Sequence, residues 1–235
     1  MSAGIARRAA AEFIGTAFLL ATVVGSGIAA QRLSPDDVGL QLLQNAIATG
    51  AVLVALILAL QPVSAAFNPV VTLVEVGLRL LAPGVAAVLI LAQVLGGLVG
   101  VMVANVMFEL DPVVISTKER VASGTLVAEV VATLGLVVIV FGAVRSARSD
   151  VVAFAVGGYI TAAYWFTSST SFANPAVTLA RTLSDTFAGI APSSVPGFVA
   201  MQLIGGALGL AVVLLLYPNR SLPPIATPER TESPR

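Results

Sequence analysis

Phe67-Asn68-Pro69-Val70-Val71-Thr72-Leu73 decides how this chain is read, because Ala173-Asn174-Pro175-Ala176-Val177-Thr178-Leu179 repeats it 106 positions later. Asn is a strong helix N-cap, and Pro fits the first helical turn, where its missing N–H is no loss. Each copy therefore opens a short helix entered from a loop, over about 68–80 and about 174–187. A single Asn-Pro in an apolar chain reads equally well as an ordinary capped helix. Two near-identical copies, one per half, match the paired repeats whose short helices start inside a membrane and frame a substrate site.

The surrounding chain supplies the membrane. It is 57% hydrophobic and 10% charged, with a mean hydropathy of +0.99, more apolar surface than a soluble domain can hide. Net charge is zero, which gives no reason to expect nucleic acid as a partner. With no Cys and no His, disulfides, thiol chemistry, the commonest metal ligand and the usual general base are absent. No metal site, no cofactor and no enzyme are therefore expected. The first apolar run is too long for a signal-peptide core and reads as a retained span.

Six spans are expected, over about 9–30, 39–60, 83–108, 124–144, 151–166 and 195–217. Residues 31–38 make a short polar loop, and 109–123 divide the chain into halves, 9–108 and 124–217. Residues 1–217 form a single channel domain, and 218–235, rich in Pro and charge, a disordered cytoplasmic tail. Each short helix has little more than half the length needed to cross a bilayer, so two meeting end to end would cross once. Their entry loops cannot face lipid and must be buried or line a wet cavity. The fold class expected is an all-α membrane protein, six transmembrane helices plus two re-entrant half-helices in inverted repeat around a pore.

The halves correspond elsewhere too. Ala11-Glu12 matches Ala128-Glu129, each with Thr four residues after the Glu, and Gln93-Val94-Leu95-Gly96-Gly97 matches Gln202-Leu203-Ile204-Gly205-Gly206. Three spans per half is an odd number, which inverts the second half. With the N-terminus inside, the cytoplasmic side holds Arg7, Arg8, Arg79, Arg145, Arg148, Arg220, Arg230 and Arg235, and the outside holds Arg32, Lys118, Arg120 and Arg181. Eight against four is the positive-inside bias, and it puts both termini in the cytoplasm of a multi-pass protein of the cell membrane.

Glu12 and Glu129 stand within apolar spans, where a carboxylate is costly and functional. Bracing the re-entrant loops, by accepting from N–H groups that lack partners, outweighs a proton relay, which needs more titratable groups. Glu75 has no counterpart in the second half and receives no role. The half-helices aim their positive ends and the amides of Asn68 and Asn174 at one point, which repels cations and offers donors to a neutral solute. Loop carbonyls from 64–67 and 167–173 supply acceptors.

With Ala11-Glu12-Phe13-Ile14-Gly15-Thr16, the two Asn-Pro boxes and the Gln-X-X-Gly-Gly repeats, the chain resembles the major intrinsic proteins, the aquaporin and aquaglyceroporin family, to Tyr217. The resemblance implies a pore constriction at Asn68, Pro69, Val70, Asn174, Pro175 and Ala176, a loop-bracing role for Glu12 and Glu129, and a homotetramer with one pore per protomer. It also implies an outer filter at Ala48 or Thr49, Ala162, Ser171 and Val177. Val70 replaces the usual Ala, and Val177 stands where the filter Arg is usual. Such a filter is wide and favours solutes larger than water. Residues 168–172 are similar to bacterial members associated with metalloid handling, which adds neutral trivalent arsenic acid to glycerol-like polyols and water. The alternatives are a secondary transporter, which inverted repeats also build, and a water-selective aquaporin.

Overall fold

The computed structural model describes residues 4–218. The helices are α1 (Ile5–Leu33), α2 (Val38–Leu60), α3 (Pro69–Gly77), α4 (Pro83–Met107), α5 (Ser123–Arg145), α6 (Val152–Phe166), α7 (Pro175–Ala180) and α8 (Val195–Leu216). No strand occurs among the described residues. α3 and α7 are the half-helices, and the other six match the expected spans. The tail from residue 219 onward lies outside the described residues.

Packing follows the sequence repeat. α1 lies on α4 and α5 on α8 within the halves; α2 meets α6 across them, while α3 reaches α8 and α7 reaches α4. The close crossings rest on glycine. A Cβ at Gly96 would overlap the backbone of Phe13, and one at Gly205 would crowd the carbonyl of Val130. Small residues at these places let helix backbones approach, and van der Waals packing replaces the hydrophobic drive that lipid cannot provide.

Several boundaries differ from expectation. α1 runs on through Arg32 and Leu33, since nothing before Pro35 stops it. α3 ends at Gly77, three residues early. The Arg79 N–H donates to Val76, the Leu80 N–H donates to Glu75, and Arg79 takes a left-handed φ of 60°. That is a Schellman closure with Arg where Gly is usual. α7 has six residues, and a 3₁₀ turn, Arg181–Leu183, follows it. The segment 182–183 is claimed by the outer loop: Val114 N–H donates to Leu183 O, and Ser116 N–H to Thr182 O. α6 has 15 residues, about 22 Å, and is extended by a 3₁₀ turn at Ser149–Val151. The other five long helices each have the length and apolar character of a span.

Candidate functional site

Each entry loop is held by a buried carboxylate. Glu12 Oε1 accepts from Ser64 Oγ (2.5 Å) and Ala66 N (2.9 Å), and Oε2 from Phe67 N (2.7 Å) and Gln93 Nε2 (2.9 Å). Glu129 repeats the pattern with Phe172 N (3.0 Å), Ala173 N (2.9 Å) and Gln202 Nε2 (2.6 Å). Gln93 also donates to Thr72, and Gln202 to Thr178, tying the brace to each half-helix. Both carboxylates are fully buried. The glutamines and threonines were visible in sequence only as repeated letters. Their shared place in both halves was the available signal.

The loops then turn sharply. Phe67 and Ala173 both have φ of 48°, a left-handed conformation costly for residues with a Cβ. The turn sends two amide hydrogens toward the carboxylate and delivers Asn to the helix start. Asn68 Oδ1 caps Val70 N, while its Nδ2 donates to Ala173 O at 2.8 Å. Asn174 Oδ1 caps Ala176 N and Val177 N, and its Nδ2 donates to Phe67 O, also at 2.8 Å. Each amide thus clamps the opposite loop with one N–H and keeps the other. Pro69 and Pro175 occupy the first helical position of each half-helix. Val70 and Ala176 follow, both buried. Val70 contacts the position of Gly206, where a Cβ would overlap its side chain, so the larger residue is accommodated by glycine on α8.

A cavity of about 90 Å³ runs past both Asn side chains. One end is apolar, with Ile57, Val140, Val152 and Val156; the other carries Thr49, Tyr164, Ser171 and Arg181. Of the filter residues expected from sequence, Thr49, Ser171 and Val177 line it. Ala48 and Ala162 do not. On α2 a step of one residue turns a side chain by about 100°, so Thr49 faces the lumen and Ala48 is turned from it. Ala162 is exposed on the outer face of α6, whereas Ile160 and Tyr164, four apart, face in.

Tyr164 and Arg181 are the lining residues that the sequence reading passed over. The Tyr164 hydroxyl lies 3.1 Å from Thr49 Oγ1. Arg181 stands four residues past Val177, hence on the same helical face one turn outward. Its Nε donates to Ala188 O, and its guanidinium carbon sits 3.6 Å above the Phe172 ring centre. Arg120, on the connecting loop, lies 5.1 Å from the same ring and donates to Gly189 O and Phe187 O. Burial, then repulsion from Arg181, holds Arg120 down at about 9. Burial, then repulsion from Arg120 and Arg181, pushes the Lys118 amine down to about 8, against the pull of Asp185.

A sequence profile of the major intrinsic protein family matches residues 1–170. The aquaglyceroporin AqpS of Rhizobium meliloti (strain 1021) is 46% identical over 227 residues, covering 96% of this chain and 97% of that protein. The X-ray structure of the aquaglyceroporin from Plasmodium falciparum is similar in fold, with a TM-score of 0.67, 91% of this chain and 96% of that one covered, and 19% identity. The profile extends over the first Asn-capped half-helix and the match to the relative over both: the chain belongs to the major intrinsic protein family.

Proposed function

We propose that the chain is a passive channel for small uncharged solutes, glycerol-like polyols and water among them. As a member of a channel family it is not an enzyme. The observation that carries the reading is the lumen itself, which passes both Asn amides and is lined by no Asp or Glu among the described residues. A cation there meets two helix N-termini and no countercharge, while a hydroxylated solute meets donors, loop carbonyls and an apolar wall. Coupled transport needs a relay of titratable groups, and the lumen offers none of the carboxylates that would build one.

The pore constriction is assigned to Asn68, Pro69, Val70, Asn174, Pro175 and Ala176, and the outer filter to Thr49, Ser171 and Val177. Val177 fills little of the lumen, which supports a solute broader than water. The relative's designation as an aquaglyceroporin points the same way. Neutral trivalent arsenic acid belongs to the same class, three hydroxyls on an uncharged centre. The large apolar residues on the outer faces, such as Phe18, Leu91, Val127 and Leu203, suit lipid and the sides of a homotetramer. The positive-inside bias supports cytoplasmic termini for a multi-pass protein of the cell membrane.

Stopped-flow light scattering of proteoliposomes tests the reading with water, glycerol, urea and arsenite. Glycerol flux well above that of empty liposomes, unchanged when a proton or sodium gradient is imposed, is the expected outcome. Water flux with glycerol excluded would establish a water-selective pore, and flux that follows a gradient would establish a transporter.

A further inference from the structure

We propose that Arg181 is the cationic selectivity residue of this pore, acting one helical turn outward of Val177 and together with Ser171. The inference rests on the channel reading and adds to it a residue, a place and a solute chemistry.

Arg181 is 2% exposed, and no carboxylate among the described residues pairs with it. Its position is fixed by neutral groups: a carbonyl takes Nε, and an aromatic face takes the planar cation. Both contacts leave the two terminal nitrogens of the guanidinium without a partner among the described residues, and the residue lines the cavity. A guanidinium held this way keeps its full charge and its terminal donors for whatever occupies the lumen.

Ser171 is the second observation. It is 4% exposed and lines the same cavity, yet its Oγ has no hydrogen-bond partner among the described residues. A buried hydroxyl without a protein partner is costly, so a solute that supplies one gains that hydrogen bond. Thr49 and Tyr164 add a pair of hydroxyls bonded to each other, with acceptor capacity to spare. The set therefore offers donors from Arg181 and groups that both donate and accept from Ser171 and the Thr49–Tyr164 pair. Its complement is a neutral molecule with adjacent hydroxyls, each accepting one hydrogen bond and giving another. A potassium ion or hydronium meets a guanidinium with no carboxylate in direct contact instead.

The test compares Arg181→Met, Arg181→Lys and Ser171→Ala with the unmodified protein in proteoliposomes, after tetramer content and detergent stability are checked. Two readouts are taken: collapse of a potassium diffusion potential, and the ratio of glycerol flux to that of 1,3-propanediol, which has the same carbon chain and one hydroxyl fewer. The unmodified protein holds the potential. Arg181→Met dissipates it, and Arg181→Lys, which keeps the charge but loses the stack and the fork, restores it. The glycerol-to-propanediol ratio falls about fivefold to tenfold in Ser171→Ala and in Arg181→Met, the loss expected for a hydrogen bond to solute.

A folded Arg181→Met that holds the potential with an unchanged ratio overturns the proposal. So does Arg181→Lys leaking as much as Arg181→Met, because Arg181 would then serve only to hold the loop at Ala188. If Arg181→Met does not assemble, Ser171→Ala decides, and an unchanged ratio there overturns the solute site. Failure of the channel reading looks different: no glycerol flux in the unmodified protein.

Discussion

At residue scale the two carboxylates are alike but not equal. Glu12 accepts four hydrogen bonds, because Ser64 adds its hydroxyl, whereas Glu129 accepts three. Hydrogen bonds to charged groups are worth roughly 1.5–3 kcal/mol each, and a buried donor stranded by loss of its partner costs about 1–3 kcal/mol. Glu12→Leu strands two loop N–H groups and should lose on the order of 3–6 kcal/mol. Glu129→Leu should lose somewhat less, and either Gln variant about half, since an amide keeps one acceptor oxygen but turns an NH₂ toward another donor. Thermal unfolding of the detergent-solubilised protein checks the order Leu worse than Gln, and position 12 worse than 129. Leu variants as stable as the parent would remove the brace. The sequence made these residues legible because a carboxylate in an apolar span needs an explanation. It left Arg181 illegible, because an Arg near a helix end has an innocent reading at the membrane surface. Only the fold puts its side chain in the lumen. Ala162 failed for the opposite reason: spacing borrowed from relatives names a residue, but the rotation of α6 decides which way it faces.

The elements were legible where apolar length or a repeated cap marks them. All six long helices and both half-helix starts follow from such signals, while their ends do not. α3, α4 and α5 close with left-handed Arg79, Glu109 and Ala147, none of them the glycine that announces a helix stop. α7 is cut short by pairing with a loop some seventy residues away, which no local pattern contains. Helix contacts are better marked, because the glycines recur in both halves. Gly96 and Gly84 share α4 but have opposite surroundings: a Cβ at Gly96 meets the backbone of Phe13, and one at Gly84 meets nothing within 4 Å. Gly96→Ala must push α1 and α4 apart. Overpacking of this kind costs roughly 1–3 kcal/mol, and more where backbone is the obstacle. Gly84→Ala should instead be neutral or gain up to about 1 kcal/mol from helix propensity. Matched melting curves separate the two, and equal melting temperatures would mean that the α1–α4 approach is looser than described.

At the scale of the whole molecule, the inverted halves require the loop 108–122 to lie on the side opposite both termini. The chain has a single lysine, Lys118, and it sits on that loop. A side chain that occurs once gives a direct readout of the side on which this loop lies. A membrane-impermeant sulfonated succinimidyl ester applied to intact cells should modify Lys118, and the same reagent applied to sealed inverted vesicles should spare it, by mass spectrometry of the recovered peptide. Lys118 spared in intact cells and modified in inverted vesicles would overturn the orientation. The same amine also reports the charge at the outer mouth. Acylation needs the neutral form, and Lys118 is held down at about 8, first by burial and then by repulsion from Arg120 and Arg181. Its rate should therefore climb between pH 7 and 8 and flatten above, whereas an ordinary lysine gains about tenfold per pH unit until near 10.4. The rate is measured against N-acetyl-lysine in the same tube. Arg181→Met removes one of the two repelling cations, so the bend should move to higher pH. A rate in the unmodified protein that keeps rising in parallel with the free amino acid would mean that Lys118 does not feel the arginines around Phe172.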